Sequence, residues 1–263
     1  MATTPIIALL DQTNRINFDY LSRIAAAYQR QITEDFKPEW GKDAKVIAYH
    51  QASEIPSGAW ICYFMTALPG NSAGLNGYHT YLTDDAGVRT PVIYVLYHDD
   101  FERTGSHEIL ETLEDPYIDN LMLVKATDAS RGSIELLVEV SDPVQSSEFG
   151  YTIDGIPVSN FFHRSFYNPF AQKGVKYDHL GWLDKPRQLL DGGYISFKDA
   201  YGVWWQAFNR GNQITYKKLI DKDASLTARE QVRSLQLVGI VFLIVLILIG
   251  LYKLIKRKKH GKS

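Results

Sequence analysis

A single cysteine, Cys62, stands among the 263 residues of this chain, so no intrachain disulfide can form. Its neighbours Trp60, Ile61, Tyr63 and Phe64 are aromatic or aliphatic, which reads as a buried thiol and not a nucleophile. No cationic start runs into a long apolar stretch at the N-terminus, so no secretory signal is expected. Internal repeats and low-complexity blocks are also lacking, which argues against solenoid arrays and disordered tracts. Acidic residues stop before Ser234, whereas Lys253, Lys256, Arg257, Lys258, Lys259 and Lys262 follow it. Those six leave 22 of the 28 basic residues against 30 acidic ones in residues 1–234, a net charge of −8. An acidic body argues against nucleic acid as a partner, because phosphate binding depends on lysine and arginine.

What is present is ample material for a core, with 45% hydrophobic and 13% aromatic residues. The length fits one generous domain or two small ones. Phe18, Leu21, Ile24, Ala25, Tyr28, Ile32 and Phe36 recur at three- and four-residue steps and predict an amphipathic helix over 17–36, ended by Pro38. Residues 44–49, 59–66 and 90–97 read as strands, and 121–126 with 134–140 as a strand pair. Residues 67–90 read as loop, and 159–209 as irregular, aromatic and rich in glycine and proline. One helix followed by mixed strands and a second helix gives an α+β class.

The second helix carries the chemistry. Ser106-His107-Glu108-Ile109-Leu110-Glu111 reads H-E-x-x-E and is closed by Asp115-Pro116. Residues four apart share a helix face, so His107 and Glu111 can grip one cation while Glu108 lies beside it. Thr104-Gly105-Ser106 offers a hydroxyl cap, Pro116 cannot continue the helix, and Ile109, Leu110 and Leu113 form a stripe that seats it on a core. This is the layout of the zinc-protease H-E-x-x-H helix with its second histidine replaced by a carboxylate. The plain alternative is a solvated helix face, on which histidine and glutamate are common.

A second feature lies near the other end. Leu235 to Tyr252 is apolar apart from Gln236 and, with Leu254 and Ile255, reaches the roughly 20 residues needed to cross a bilayer. The expected organisation is a domain at 1–211, a polar juxtamembrane helix at 212–234, a transmembrane helix at 235–255 and a basic tail at 256–263. The tail favours the cytoplasmic side. Without a signal, however, the large domain stays where it is made, so the two arguments conflict; the internal membrane of a virus particle is a third setting. The partners expected are the lipid bilayer, a peptide or protein substrate, and other membrane or capsid proteins.

Several stretches together resemble an uncharacterised bacterial and viral family of zincin-like proteins that carry the H-E-x-x-E helix. They are Gln31 to Phe36 with Trp40 to Val46, Gly77-Tyr78-His79, the motif helix, Glu139 to Val144, Tyr151, Val158 to Phe161 and Gly192-Gly193-Tyr194. After Phe161 the sequence departs from the family pattern, with His163 to Tyr167 where a proline and an aromatic pair are usual. The resemblance implies a zincin-like mixed sheet with one metal-bearing helix. It singles out Glu139 as third metal ligand beside His107 and Glu111, with Asp142 as competitor and His79 and His98 as weaker ones. Asp142-Pro143 also starts a turn well, and His98 heads the acidic turn at Asp99-Asp100.

The chemistry implied is a zinc-bound water attacking a carbonyl, with Glu108 as general base and His163, Tyr167 or His79 as oxyanion donor. Two anionic ligands make the ion a weaker Lewis acid than two histidines would. The rival reading is a non-catalytic structural or scaffold membrane protein, of a virus particle for instance, that keeps the metalloprotease-like fold.

Overall fold

Five consecutive apolar residues run from Ile6 to Leu10, and Ile7 to Leu10 are each at most 4% exposed. A strand buried on both faces belongs inside a covered sheet with parallel neighbours. The structure, a computed structural model, describes residues 4–70, 72, 74–125 and 133–219. In it Ile6–Asp11 forms that inner strand, β1.

Helix α1, Phe18–Arg30, follows, and the Asn17 side chain caps it by accepting from the Tyr20 amide at 2.8 Å. Leu21, Ile24, Ala25 and Tyr28 make its buried face, as their spacing requires. The helical path does not stop at Pro38. A π-helical turn at Gln31–Phe36 leads into a short helix α2, Lys37–Trp40, whose first turn holds the proline. There a missing amide hydrogen costs nothing. Gly41, at φ 72°, ends it. The π turn also sets the Gln31 side chain inward, at 1% exposure.

Four more strands complete the first sheet. These are β2, Lys45–Tyr49; β3, Trp60–Met65; β4, Gly77–Thr83; and β5, Arg89–Leu96. The order is β2-β1-β3-β5-β4. β1, β2, β3 and β5 are parallel, with Ile7 opposite Val46, Leu9 opposite Cys62 and Cys62 opposite Ile93. β4 runs antiparallel at the edge and sets His79 opposite Ile93. Helix α3, Phe101–Glu114, leaves the end of β5 through a short turn. It approaches α1 at Gly105, where an added Cβ would meet the Tyr28 hydroxyl at 2.5 Å. That hydroxyl donates instead to the Glu102 carbonyl.

The remaining strands are antiparallel. They are β6, Leu121–Lys125; β7, Ser133–Leu137; β8, Tyr151–Ile153; β9, Ile156–Val158; β10, Tyr194–Lys198; β11, Trp204–Arg210; and β12, Gln213–Lys218. β8 and β9 form a hairpin whose turn, Asp154-Gly155, takes positive φ at both residues. The others form a second five-stranded sheet in the order β12-β11-β10-β7-β6.

The expected architecture, an α+β domain with a zincin-like sheet and a C-terminal transmembrane helix, is overturned. The chain forms a sheet-rich α/β domain, because β1 supplies an inner parallel strand that the hydrophobic pattern alone had not distinguished. The supposed loop at 67–90 contains β4, and the supposed irregular region contains β10 and β11. β12 carries the second sheet past residue 211, into the expected linker. Among the described residues no helix is long and apolar enough to cross a membrane. The segment 235–255, with the tail 256–263, lies outside the described residues. The expected location in a cell or virion membrane is therefore withdrawn.

Candidate metal centre

Helix α3 begins at Phe101, a turn earlier than the hydroxyl residues suggested, with Asp100 as its N-cap residue. His107 and Glu111 therefore lie in its middle, where the backbone is fully hydrogen-bonded and the side chains are held firmly. The back of the helix is fixed by a buried relay. Ser106 Oγ donates to Gln31 Oε1 at 2.6 Å and accepts from the Ser159 amide at 3.0 Å. Gln31 Nε2 in turn donates to the Ser159 carbonyl at 2.7 Å. All five of these polar atoms are thereby satisfied away from water.

The front of the helix faces the turn after β7. A 3-10 turn at Asp142–Val144 directs backbone amides at the motif carboxylate, so Glu111 Oε1 accepts from Ser141 at 3.1 Å and Asp142 at 3.2 Å. His107 Nε2 lies 3.2 Å from Glu111 Oε2 and 3.2 Å from Asp142 Oδ1. Asp142 Oδ1 is buried and has no aligned hydrogen bond. Two donor atoms of a tetrahedral zinc site, at bond lengths of 2.0–2.1 Å, stand about 3.3 Å apart. The observed spacings match that edge. His107, Glu111 and Asp142 are thus a buried group that can hold a metal ion.

His79, from the edge strand β4, forms a neighbouring group with Glu108 and Glu111. Its Nδ1 lies 3.5 Å from Glu108 Oε2, and its Nε2 meets the Asp115 carbonyl at 3.2 Å. Gly77, two residues earlier, lets Glu108 sit against the strand: an added Cβ would come 3.0 Å from Glu108 Oε1. A cleft of about 610 Å³ opens over His107, Glu108 and Tyr194. Such a volume suits a small ligand or a segment of a larger one.

Burial and the crowding of acids shift both imidazoles, His79 and His107, and the carboxyls of Glu111, Glu139 and Asp142. Burial alone would lower His107, yet the Glu111 carboxylate and the contact with Asp142 hold its imidazole charged well above its usual range. His79 is raised likewise, the neighbouring Glu108 outweighing the loss of solvent. Burial, reinforced by the Glu111 charge, pushes Asp142 up to about 7 and Glu139 well above the ordinary carboxylate range. Glu111 is lowered against its own burial by His107 and by the Ser141 amide. Without a cation, then, the cluster keeps its charge in check by holding protons. A divalent ion can replace them.

The structure brings Asp142, rather than Glu139, to His107 and Glu111. Glu139 Oε2 lies 3.9 Å from His79 Nε2, on the far side of that imidazole from Glu108. His98 is occupied elsewhere: its Nδ1 accepts from the Asp100 amide at 3.2 Å, and its Nε2 pairs with Thr104 Oγ1 at 3.0 Å. Of the oxyanion candidates, His163 sits 3.7 Å from Glu39 in a separate aromatic cluster with Phe161 and His179. The Tyr167 hydroxyl is buried among Glu114, Glu139 and Asp115. The residue that sequence reasoning passed over is Tyr194 of β10, whose hydroxyl hydrogen-bonds Asp142 at the wall of the cleft. It was named only as the end of the Gly192-Gly193-Tyr194 stretch, with no role attached, and the glycine pair allows its close approach: an added Cβ at Gly193 would meet the Pro143 carbonyl oxygen at 2.3 Å.

No family model, curated protein or solved structure matches this chain. The viral and metalloprotease attributes expected from the resemblance have no relative to support them and are withdrawn.

Proposed function

We propose that His107, Glu111 and Asp142 hold one zinc ion and that the protein is a zinc-dependent hydrolase of the H-E-x-x-E type, cleaving an amide or ester bond. The observation that carries the reading is the spacing of the three donors, 3.2 Å along both edges from His107 Nε2. One imidazole and two carboxylates neutralise a dication, and all three are types that zinc accepts. When bound, the ion supplies Lewis acidity and a source of hydroxide at neutral pH.

The chain supplies the rest. Glu108 flanks the site on the cleft side and accepts the proton of the attacking water, then returns it to the leaving group. Tyr194 carries a hydroxyl that burial and the nearby carboxylates keep protonated far above its usual range, so its one hydrogen goes to Asp142 and braces that ligand at the wall of the cleft. Two backbone amides of the turn at Asp142 donate to Glu111 Oε1, which holds that ligand in place without substrate.

Elemental analysis of the purified full chain is expected to find close to one equivalent of zinc, and His107→Ala to lose it. A wild-type protein that takes up no zinc, even when dialysed against it, ends this reading.

A further inference from the structure

Beside the proposed zinc ligands stands a second group of donors close enough together to share one cation. A carbonyl oxygen can only accept, so the Asp115 carbonyl, 3.2 Å away, fixes the hydrogen of a neutral His79 on Nε2. Nδ1 then presents a lone pair to Glu108 Oε2 at 3.5 Å. Two acceptors at that distance need a positive charge between them, a proton in the metal-free chain or a metal ion in its place. Glu111 offers a third donor atom within 4.8 Å of both, and a carboxylate has two oxygens with about four lone-pair sites, enough to serve two cations. The 3.5 Å separation is again close to the donor–donor edge of about 3.3 Å expected around zinc.

A second observation points the same way. His79, Glu108 and Glu111 line a cavity of about 160 Å³ that adjoins the main cleft at Gly77, Glu108 and Tyr194. Glu139 lines it too, at 7% exposure, with its Oε2 buried and without a hydrogen-bond partner, 3.9 Å from His79 Nε2. An unpartnered carboxylate oxygen so deeply buried is costly unless a cation or a donor faces it. One dication at the first site balances only Glu111 and Asp142, and Glu108 stands outside it.

We propose that a second divalent cation binds to His79 Nδ1, Glu108 and Glu111, adjoining the first, and that it silences the reaction. The site exists independently of what the protein catalyses; the silencing rests on the hydrolase reading. Binding occupies the Glu108 lone pair that takes the proton, so the second ion turns the general base into a ligand. It binds more weakly than the first, because Glu111 is already shared and the two cations repel. Free zinc thereby sets the fraction of molecules able to turn over.

The test is a zinc titration of the metal-free full chain by equilibrium dialysis, beside the variant His79→Gln. Its carboxamide can still donate to Asp115, but it lacks the second nitrogen. Two equivalents in the wild type, one in His79→Gln, and loss of at least tenfold in turnover as the second fills, with the variant resistant, support the proposal. Saturation at one equivalent in the wild type, or two in the variant, overturns it and leaves the first site standing. A chain that binds no zinc at all fails the hydrolase reading instead, so the two failures are distinct. Should His79→Gln not fold, cobalt titration of the wild type decides: ligand-field absorption that rises to two equivalents supports the second site, and saturation at one overturns it.

Discussion

Glu108 follows His107 directly in the chain, yet the two side chains point to different neighbours. His107 turns toward Glu111 and Asp142, and Glu108 toward His79 and Gly77. That divergence follows from the 100° step between successive helical residues. In the proposed mechanism it separates the metal ligand from the proton acceptor. Glu108→Gln, which keeps size and removes basicity, is expected to retain the first equivalent of zinc. It should lower turnover of a quenched-fluorescent peptide or ester by about 10²–10⁴-fold. Equal loss of metal and activity would instead make Glu108 a primary ligand. At this scale His107, Glu108 and Glu111 were legible from their spacing alone. The choice between Glu139 and Asp142 was not, because two acids three residues apart look alike until a turn aims one of them.

Elements meet at glycines where the site is built. β4 crosses the motif helix at Gly77, and an added Cβ there would stand 2.7 Å from Thr104 Cγ2. Gly77→Ala must push the strand and helix apart and shift Glu108. The expected cost is about 1–3 kcal/mol, as for other overpacked interiors, read from urea unfolding. Zinc at the His107 site should survive, since its three ligands lie on α3 and the turn at Asp142; a variant with unchanged stability and turnover would show that the contact is not tight. β4 escaped the sequence reading because its alternation is weak and its flanks are turn-rich. Its place is set by pairing with β5, a long-range contact. The helical path over 17–36 was legible; its π turn and its run past Pro38 into α2 were not, because Pro38 marks a helix start as readily as an end.

Across the whole molecule the acidic cluster links protons, metal and stability. His107, His79, Asp115, Glu139 and Asp142 all hold protons more tightly folded than unfolded, with Asp142 at about 7. The folded metal-free chain therefore binds more protons near neutrality, and raising pH favours the unfolded state. Glu111, which is lowered, acts only below its ordinary value of 4.5, outside that window. His163 and His179 are shifted down and oppose the trend, but they lie away from the centre and contribute equally with and without metal. The stabilisation by zinc should accordingly grow from pH 5.5 to 8, seen as a widening gap in melting temperature between loaded and chelated protein. A gap that is constant with pH would mean that no protons leave when the metal enters. The sequence by itself determined the motif helix, the amphipathic start of α1 and the need for a large core, since each is a local pattern of side-chain chemistry. Tertiary structure alone decided which acid joins His107, that a histidine from an edge strand faces Glu108, and that Tyr194 closes the cleft. Those partners lie some thirty to ninety residues away in the chain, and only the pairing of strands sets how far apart they stand.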